Sequence, residues 1–159
     1  FRECVRLCKP DTPDSDGSYG VATRRFSYMG YGGGLDYVQA LKETVVAVMI
    51  EKKAAADNIE EILEIDGIDM IQWGPADFSV NTGNAGNWGD PMVKETERRV
   101  IDLSLKAGVQ PRAEIGTPDQ AKYFLDLGVR HFNIGTDISI LFQWWQSNGD
   151  ELRKAVEGA

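Results

Sequence analysis

A strict alternation of short apolar runs with amphipathic stretches governs what this chain can fold into. Val45 to Ile50 (VVAVMI) is continuous, rich in β-branched residues and short, so it reads as a strand buried on both faces, the kind found in parallel sheets. Ala54 to Ile65 follows with Ile59, Ile62 and Leu63 at helical spacing and Glu60, Glu61 and Glu64 turned outward. Asp69 to Trp73 is the next strand, and a long loop from Gly74 to Pro91 leads to a helix ending near Gly108. Val109 to Ile115 is a third strand. Thr117-Pro118-Asp119 starts a helix that stops at Gly128. Val129 to Ile134 is a fourth strand, followed by a helix over Asp137 to Trp145 and a last amphipathic piece over Asp150 to Val156. The first 34 residues read as a loop-rich opening segment, with turn formers over Lys9 to Gly20 and glycines over Tyr28 to Gly34.

Strict βα alternation with short connections implies right-handed βαβ units on a parallel sheet. An open doubly wound sheet and a (β/α)8 barrel both suit it. No G-x-G-x-x-G follows the first strand, so a dinucleotide-binding sheet has no support. A full barrel takes about 250 residues, so four βα units are about half of one. The 159 residues read as a single domain, and a start at Phe1 rather than Met reads as a fragment or a processed chain.

The formal net charge of −8, with no block of Lys or Arg, argues against nucleic-acid or membrane-surface binding. No apolar run is long enough for a membrane span. Cys4 and Cys8 make no C-x-x-C and read as two plain thiols, which fits a reducing, cytoplasmic setting. His131 is the only histidine, which excludes a multi-His metal site within the chain. It opens the fourth strand and so belongs at the rim opposite the strand ends.

In parallel α/β folds the chemistry collects at the carboxyl ends of the strands. There the chain places Glu51, then Gly74-Pro75-Ala76-Asp77, then Arg112 and Glu114, then Gly135-Thr136-Asp137. Acidic residues at one rim repel one another unless a cation or ligand neutralises them, which points to a divalent metal.

Val48-Met49-Ile50-Glu51, the helix after it, Gly67-Ile68-Asp69 and Gly74-Pro75-Ala76-Asp77-Phe78-Ser79 resemble the metal-dependent pyruvate aldolases of the HpcH/HpaI family. The resemblance continues through Gly86-Asn87, Leu127-Gly128 and Ile134-Gly135. It implies a (β/α)8 TIM barrel, of which this chain supplies roughly the second half, with the site at the C-terminal rim. It assigns Glu51 and Asp77 as ligands of Mg²⁺ or Mn²⁺ and the backbone of Gly74, Pro75, Ala76 and Asp77 as the cradle of the substrate carboxylate. The implied reaction is cleavage or formation of a 4-hydroxy-2-oxo acid, from or to pyruvate (or a related 2-oxo acid) and an aldehyde. The metal would act as a Lewis acid toward the charge that develops as the C3–C4 bond breaks. A His–Asp proton shuttle and a keto-polarising Arg are expected on earlier strands, upstream of Phe1, so this chain alone is not expected to be a competent aldolase.

Several positions depart from the family's pattern. Gly17-Ser18-Tyr19-Gly20 stands where the family has G-x-R-G, and either Arg24 or Arg25 compensates or both are surface charges. Gln72-Trp73 replaces smaller apolar residues, with the indole read as core packing. Arg112 and Glu114 share one face of the third strand, where small or apolar residues are usual. Either they line the substrate pocket and select a polar aldehyde portion, or they pair with each other. Ile138, Ile140, Leu141, Trp144 and Trp145 make a heavily apolar helix surface. It reads as barrel packing or, by resemblance, as the subunit interface of a homo-oligomer, a hexamer. The rival functions are a citramalyl- or malyl-CoA-type lyase, a decarboxylating relative of the same superfamily, and a non-catalytic assembly subunit.

Overall fold

The computed structural model describes residues 1–21 and 33–158. Arg24, Arg25 and most of the glycine-rich stretch from Tyr28 therefore lie outside the described residues. The described chain divides into two compact units, Phe1–Pro111 and Arg112–Ala159.

In the first unit the opening segment is not all loop. Helix α1 (Arg2–Cys8) precedes a two-residue hairpin, β1 (Asp11–Thr12) and β2 (Ser15–Asp16). The turn-forming composition does produce the hairpin. The helix before it was missed because it is only two turns long and buries one residue, Val5. Cys4 and Cys8 both lie on α1 as free thiols.

Helix α2 (Leu35–Lys42) is tied to the hairpin by Lys42 Nζ, which donates to Asp14 Oδ2 at 2.5 Å. That hydrogen bond, a second from the Thr12 hydroxyl and the attraction of Lys42 pull the Asp14 carboxyl from 3.8 to about 2. A depressed carboxyl favours the folded form above its unfolded value and loses that contribution as pH falls through its folded value. The Asp14–Lys42 link thus persists at pH 4 and dissolves toward pH 2. An NMR titration should place the Asp14 midpoint near 2, and Lys42→Met should return it toward 3.8. An unmoved midpoint would show that Lys42 does not hold it.

Strand β3 (Ala47–Ile50) pairs in parallel with β4 (Met70–Trp73), setting Val48 opposite Ile71 and Ile50 opposite Trp73. The expectation that this strand is buried on both faces is corrected. Val48 and Ile50 are buried, whereas Ala47 and Met49 are exposed. Burial on both sides needs a second layer, and among the described residues only the helix-facing side is covered. The single helix expected over Ala54 to Ile65 is two, α3 (Lys53–Asp57) and α4 (Ile59–Leu63), broken at Asn58. The Asn58 side chain donates to Ala54 O at 2.8 Å, competing with the helix ladder as short amide side chains do.

The long loop expected after Trp73 contains a helix, α5 (Pro75–Asn81). Gly74 caps it and Pro75 takes the first turn, where a missing N–H costs nothing. Helix α6 (Pro91–Lys106) starts the same way, with Pro91 behind the Asp90 cap, and buries Val93, Val100 and Ile101. Ile50, Ile59, Ile71, Phe78, Val93 and Val100 form the centre of the core, each no more than 2 % exposed. Arg99 on α6 clamps α3 and α4, donating to Ala56 O at 2.8 Å and to both Glu60 carboxylate oxygens at 2.9 Å.

Strand β5 (Gln110–Ile115) runs across the division between the units. In the second unit it pairs in parallel with β6 (His131–Ile134), Arg112 opposite His131 and Glu114 opposite Asn133. A 3₁₀ turn (Pro118–Gln120) and α7 (Ala121–Asp126) connect them, and Gly128 (φ +94°) ends the connection in a conformation that L side chains resist. The helix expected over Asp137 to Trp145 and the amphipathic piece after it are one helix, α8 (Asp137–Glu157), which runs on through Asn148-Gly149. None of its residues is buried, and Ile138 (75 % exposed) and Trp145 (65 %) face solvent. Among the described residues no helix is long and apolar enough to cross a membrane.

Candidate active site

Two strand ends build the site within the first unit. Glu51 leaves the carboxyl end of β3, and Gly74 leaves that of β4, its N–H donating to Ile50 O at 3.0 Å. The two residues pack so closely that a Cβ on Gly74 would lie 2.7 Å from Glu51 Cβ and 3.2 Å from Glu51 Oε2. It would also lie 3.2 Å from Met49 Cε. Glycine here leaves the space the Glu51 side chain occupies. Gly74 has a φ of −111°, which any residue adopts, so the requirement is one of room.

Asp77 stands in the first turn of α5, where a carboxylate favours the positive end of the helix. One turn on, Asn81 lies on the same side of α5. Both reach the segment after β3. Lys52 Nζ donates to Asp77 Oδ1 at 2.6 Å, and the Lys53 N–H donates to Asn81 Oδ1 at 2.8 Å. Sequence reasoning missed Lys52 and Asn81, because with α5 read as loop nothing set Asp77 and Asn81 on one side of a helix. The hydrogen bond to Asp77 holds the Lys52 ammonium above the ordinary lysine value, against the opposing effect of desolvation, and the charges of Asp77 and Glu51 add to it.

The predicted metal ligands Glu51 and Asp77 flank the Gly74 turn, and the Lys52 ammonium is hydrogen-bonded to Asp77. Carboxylate oxygens are the donor type that suits Mg²⁺ or Mn²⁺. Among the described residues no group of three or more His, Cys, Asp or Glu could hold a metal ion, so an ion here would complete its shell with water or substrate oxygens. Of the backbone donors expected from Gly74 to Asp77, Gly74 is spent on Ile50 and Pro75 has none. Ala76 and Asp77 remain, in the first turn where amides lack intrahelical partners.

Arg112 and Glu114 lie in the second unit, on one face of β5. Pro111, Ala113 and Ile115 on the alternate positions are buried, while Glu114 is exposed and Arg112 half-buried. His131 is exposed at the first position of β6, away from that strand's carboxyl end. Trp73 is core, 8 % exposed and packed on Phe78 with ring centroids 4.6 Å apart.

The sequence profile of the HpcH/HpaI aldolase/citrate lyase family matches residues 7–143. The chain belongs to that family. Similar proteins include the 4-hydroxy-2-oxo-heptane-1,7-dioate aldolases of Shigella sonnei and Klebsiella pneumoniae, each 35 % identical over 107 residues. The match covers 67 % of this chain and about two fifths of theirs, 41 % and 40 %. A solved HpcH/HpaI family structure from Burkholderia cenocepacia superimposes with a TM-score of 0.78 at 30 % identity, covering 94 % of this chain and 58 % of that one. Macrophomate synthase shares the fold at 16 % identity, with a TM-score of 0.74, covering 98 % of this chain and 55 % of its own. These neighbours are (β/α)8 barrels, so the parallel βα units of this HpcH/HpaI chain belong to a barrel and not to a doubly wound sheet.

Proposed function

We propose that the protein is a divalent-metal-dependent aldolase that cleaves or forms 4-hydroxy-2-oxo acids, with pyruvate or a related 2-oxo acid and an aldehyde as the smaller partners. The observation that carries this reading is the placement of Glu51 and Asp77 on either side of the Gly74 turn, Glu51 packed on Gly74 and Asp77 in the first turn of α5. The names of the similar aldolases support it. Glu51 and Asp77 would hold Mg²⁺ or Mn²⁺, which when bound supplies Lewis-acid stabilisation of negative charge on the 2-oxo acid.

The chain's own residues then have distinct tasks. The Ala76 and Asp77 amides orient the 2-oxo acid's carboxylate as fixed donors that need no rearrangement during reaction. Gly74 keeps the Glu51 carboxylate at the strand end. The proton shuttle and the keto-polarising Arg are assigned, by family resemblance, to earlier barrel strands. The exposed apolar face of α8 supports a homo-oligomer, a hexamer in this reading, and the reduced thiols of Cys4 and Cys8 suit the cytoplasm.

The test is pyruvate release from a 4-hydroxy-2-oxo acid by the full-length protein. Release should require Mg²⁺ or Mn²⁺, stop with a chelator and return on adding either ion. Full release in the presence of chelator would sink the metal reading. No release under any metal, with an acyl-CoA thioester cleaved instead, would move the assignment to the lyases.

A further inference from the structure

Asp77 and Asn81 both reach from α5 to the residues just after Glu51, but they set distance unequally. Asp77 receives the Lys52 ammonium at 2.6 Å, in a pair whose side chains are both about half exposed. Such a pair is weak, and a flexible four-carbon stem lets the two chain segments shift without breaking it. Asn81 Oδ1 accepts the Lys53 amide at 2.8 Å, and that donor is backbone. A short side chain bonded to a backbone N–H leaves little slack. The hydroxyls beside Asn81 stay local: Ser79 donates to Ala76 O at 2.7 Å and Thr82 to Phe78 O at 2.8 Å. At its start α5 is anchored on β3, since the Gly74 N–H donates to Ile50 O at 3.0 Å. Burial of Phe78 and Ser79 decides which face it turns to the core. The Asn81 bond is a second anchor on the β3 side, at the last residue of α5, and Asp77 lies between the two. With that anchor lost, the end of a seven-residue helix is held by packing alone, and a small tilt moves Asp77 relative to Glu51.

We propose that Asn81 is a positioning residue for the metal site, which sets the separation of the Glu51 and Asp77 carboxylates by accepting the Lys53 amide. This rests on the assignment of Glu51 and Asp77 as ligands of a divalent ion and adds a residue that touches neither ion nor substrate. Mg²⁺ demands near-ideal octahedral placement of its oxygens, so the separation of two carboxylates sets how tightly they hold it. Mn²⁺ takes the same kind of oxygen shell and serves as the probe.

The experiment is Mn²⁺ binding to the full-length protein, followed by the electron paramagnetic resonance of free Mn²⁺, with thermal unfolding of the same samples. Asn81→Leu keeps the side chain's size and removes the acceptor. It should raise the Mn²⁺ dissociation constant about three- to tenfold, the scale of one hydrogen bond at a helix start. Asn81→Asp restores an acceptor at the same place and should recover at least the parental affinity. Lys53→Pro removes the donor instead. Lys52, at φ −124° and ψ 142°, already has the backbone that precedes a proline, and the first helical position tolerates one. Its reference is Lys53→Met, which keeps the amide and gives up only the exposed side-chain pair with Asp57. Lys53→Pro should weaken Mn²⁺ binding as Asn81→Leu does, and the double variant should be no weaker than either, because both remove one bond. Parental Mn²⁺ affinity in either folded variant overturns the proposal, whatever its unfolding temperature, since a purely structural bond moves stability and leaves the ion alone. Full additivity in the double variant, or no recovery in Asn81→Asp, overturns it as well. Glu51→Gln separates the two levels. Parent binding that this variant loses keeps the metal site even if the Asn81 and Lys53 variants overturn the positioning role. Parent binding that Glu51→Gln leaves intact, or no Mn²⁺ binding by the parent, overturns both.

Discussion

Glu51→Gln is expected to lose divalent-ion binding and, with it, about 10²–10³-fold in kcat/KM for aldol cleavage, the scale of the several kcal/mol a metal contributes to a charged transition state. The substitution keeps the side chain's size, so the close packing of Glu51 Cβ on Gly74 survives and the fold should be unaffected. Only the anionic oxygen is gone, and a neutral amide oxygen holds a divalent cation less strongly than a carboxylate does. Asp77→Asn should act in the same direction and also release Lys52 from its partner. Calorimetric Mn²⁺ titration and the pyruvate-release assay check both. A Glu51→Gln protein that binds Mn²⁺ like the parent would remove Glu51 from the site.

Gly74→Ala tests the geometry without replacing a charged group. The added methyl would lie 2.7 Å from Glu51 Cβ, closer than real carbon contacts permit. Met49 Cε, at 3.2 Å, is the end of a flexible side chain and can move away. Glu51 Cβ is fixed to the backbone at the end of β3, so the carboxylate must shift or the turn must open. Displacements of about 1 Å at a reacting centre cost about 10²-fold, and that is the expected loss in kcat/KM. Crowding should cost a further ~1–3 kcal/mol of stability, read from denaturant unfolding. A Gly74→Ala enzyme with parental activity and Mn²⁺ affinity would show that the turn has room to spare.

The sequence carried the parallel βα alternation and the strand ends because both depend on local signals, apolar runs and the residues that stop them. It placed Glu51 after β3 and Gly74 after β4 for the same reason, since a strand and the residue that follows it are contiguous in the chain. Other features needed three dimensions. Helix α5 lies in the stretch expected as loop: Gly83 and Gly86 are turn formers just beyond it, while Pro75 behind Gly74 is the one local sign of a helix start. The continuity of α8 through Asn148-Gly149 is likewise decided by the helical residues on either side, since glycine is a poor helix former by itself. Burial of β3 on one face alone was illegible in VVAVMI, since a run of apolar residues does not say whether a second layer covers it. Lys52 was passed over because its partner lies far along the chain, on a helix not yet recognised.

Helix α3 has no side-chain cap of its own at its start. It borrows one from the far end of α5, where Asn81 accepts the Lys53 amide. That hydrogen bond satisfies an amide that a helix start otherwise leaves to water, and it ties the segment that follows Glu51 to the helix that carries Asp77.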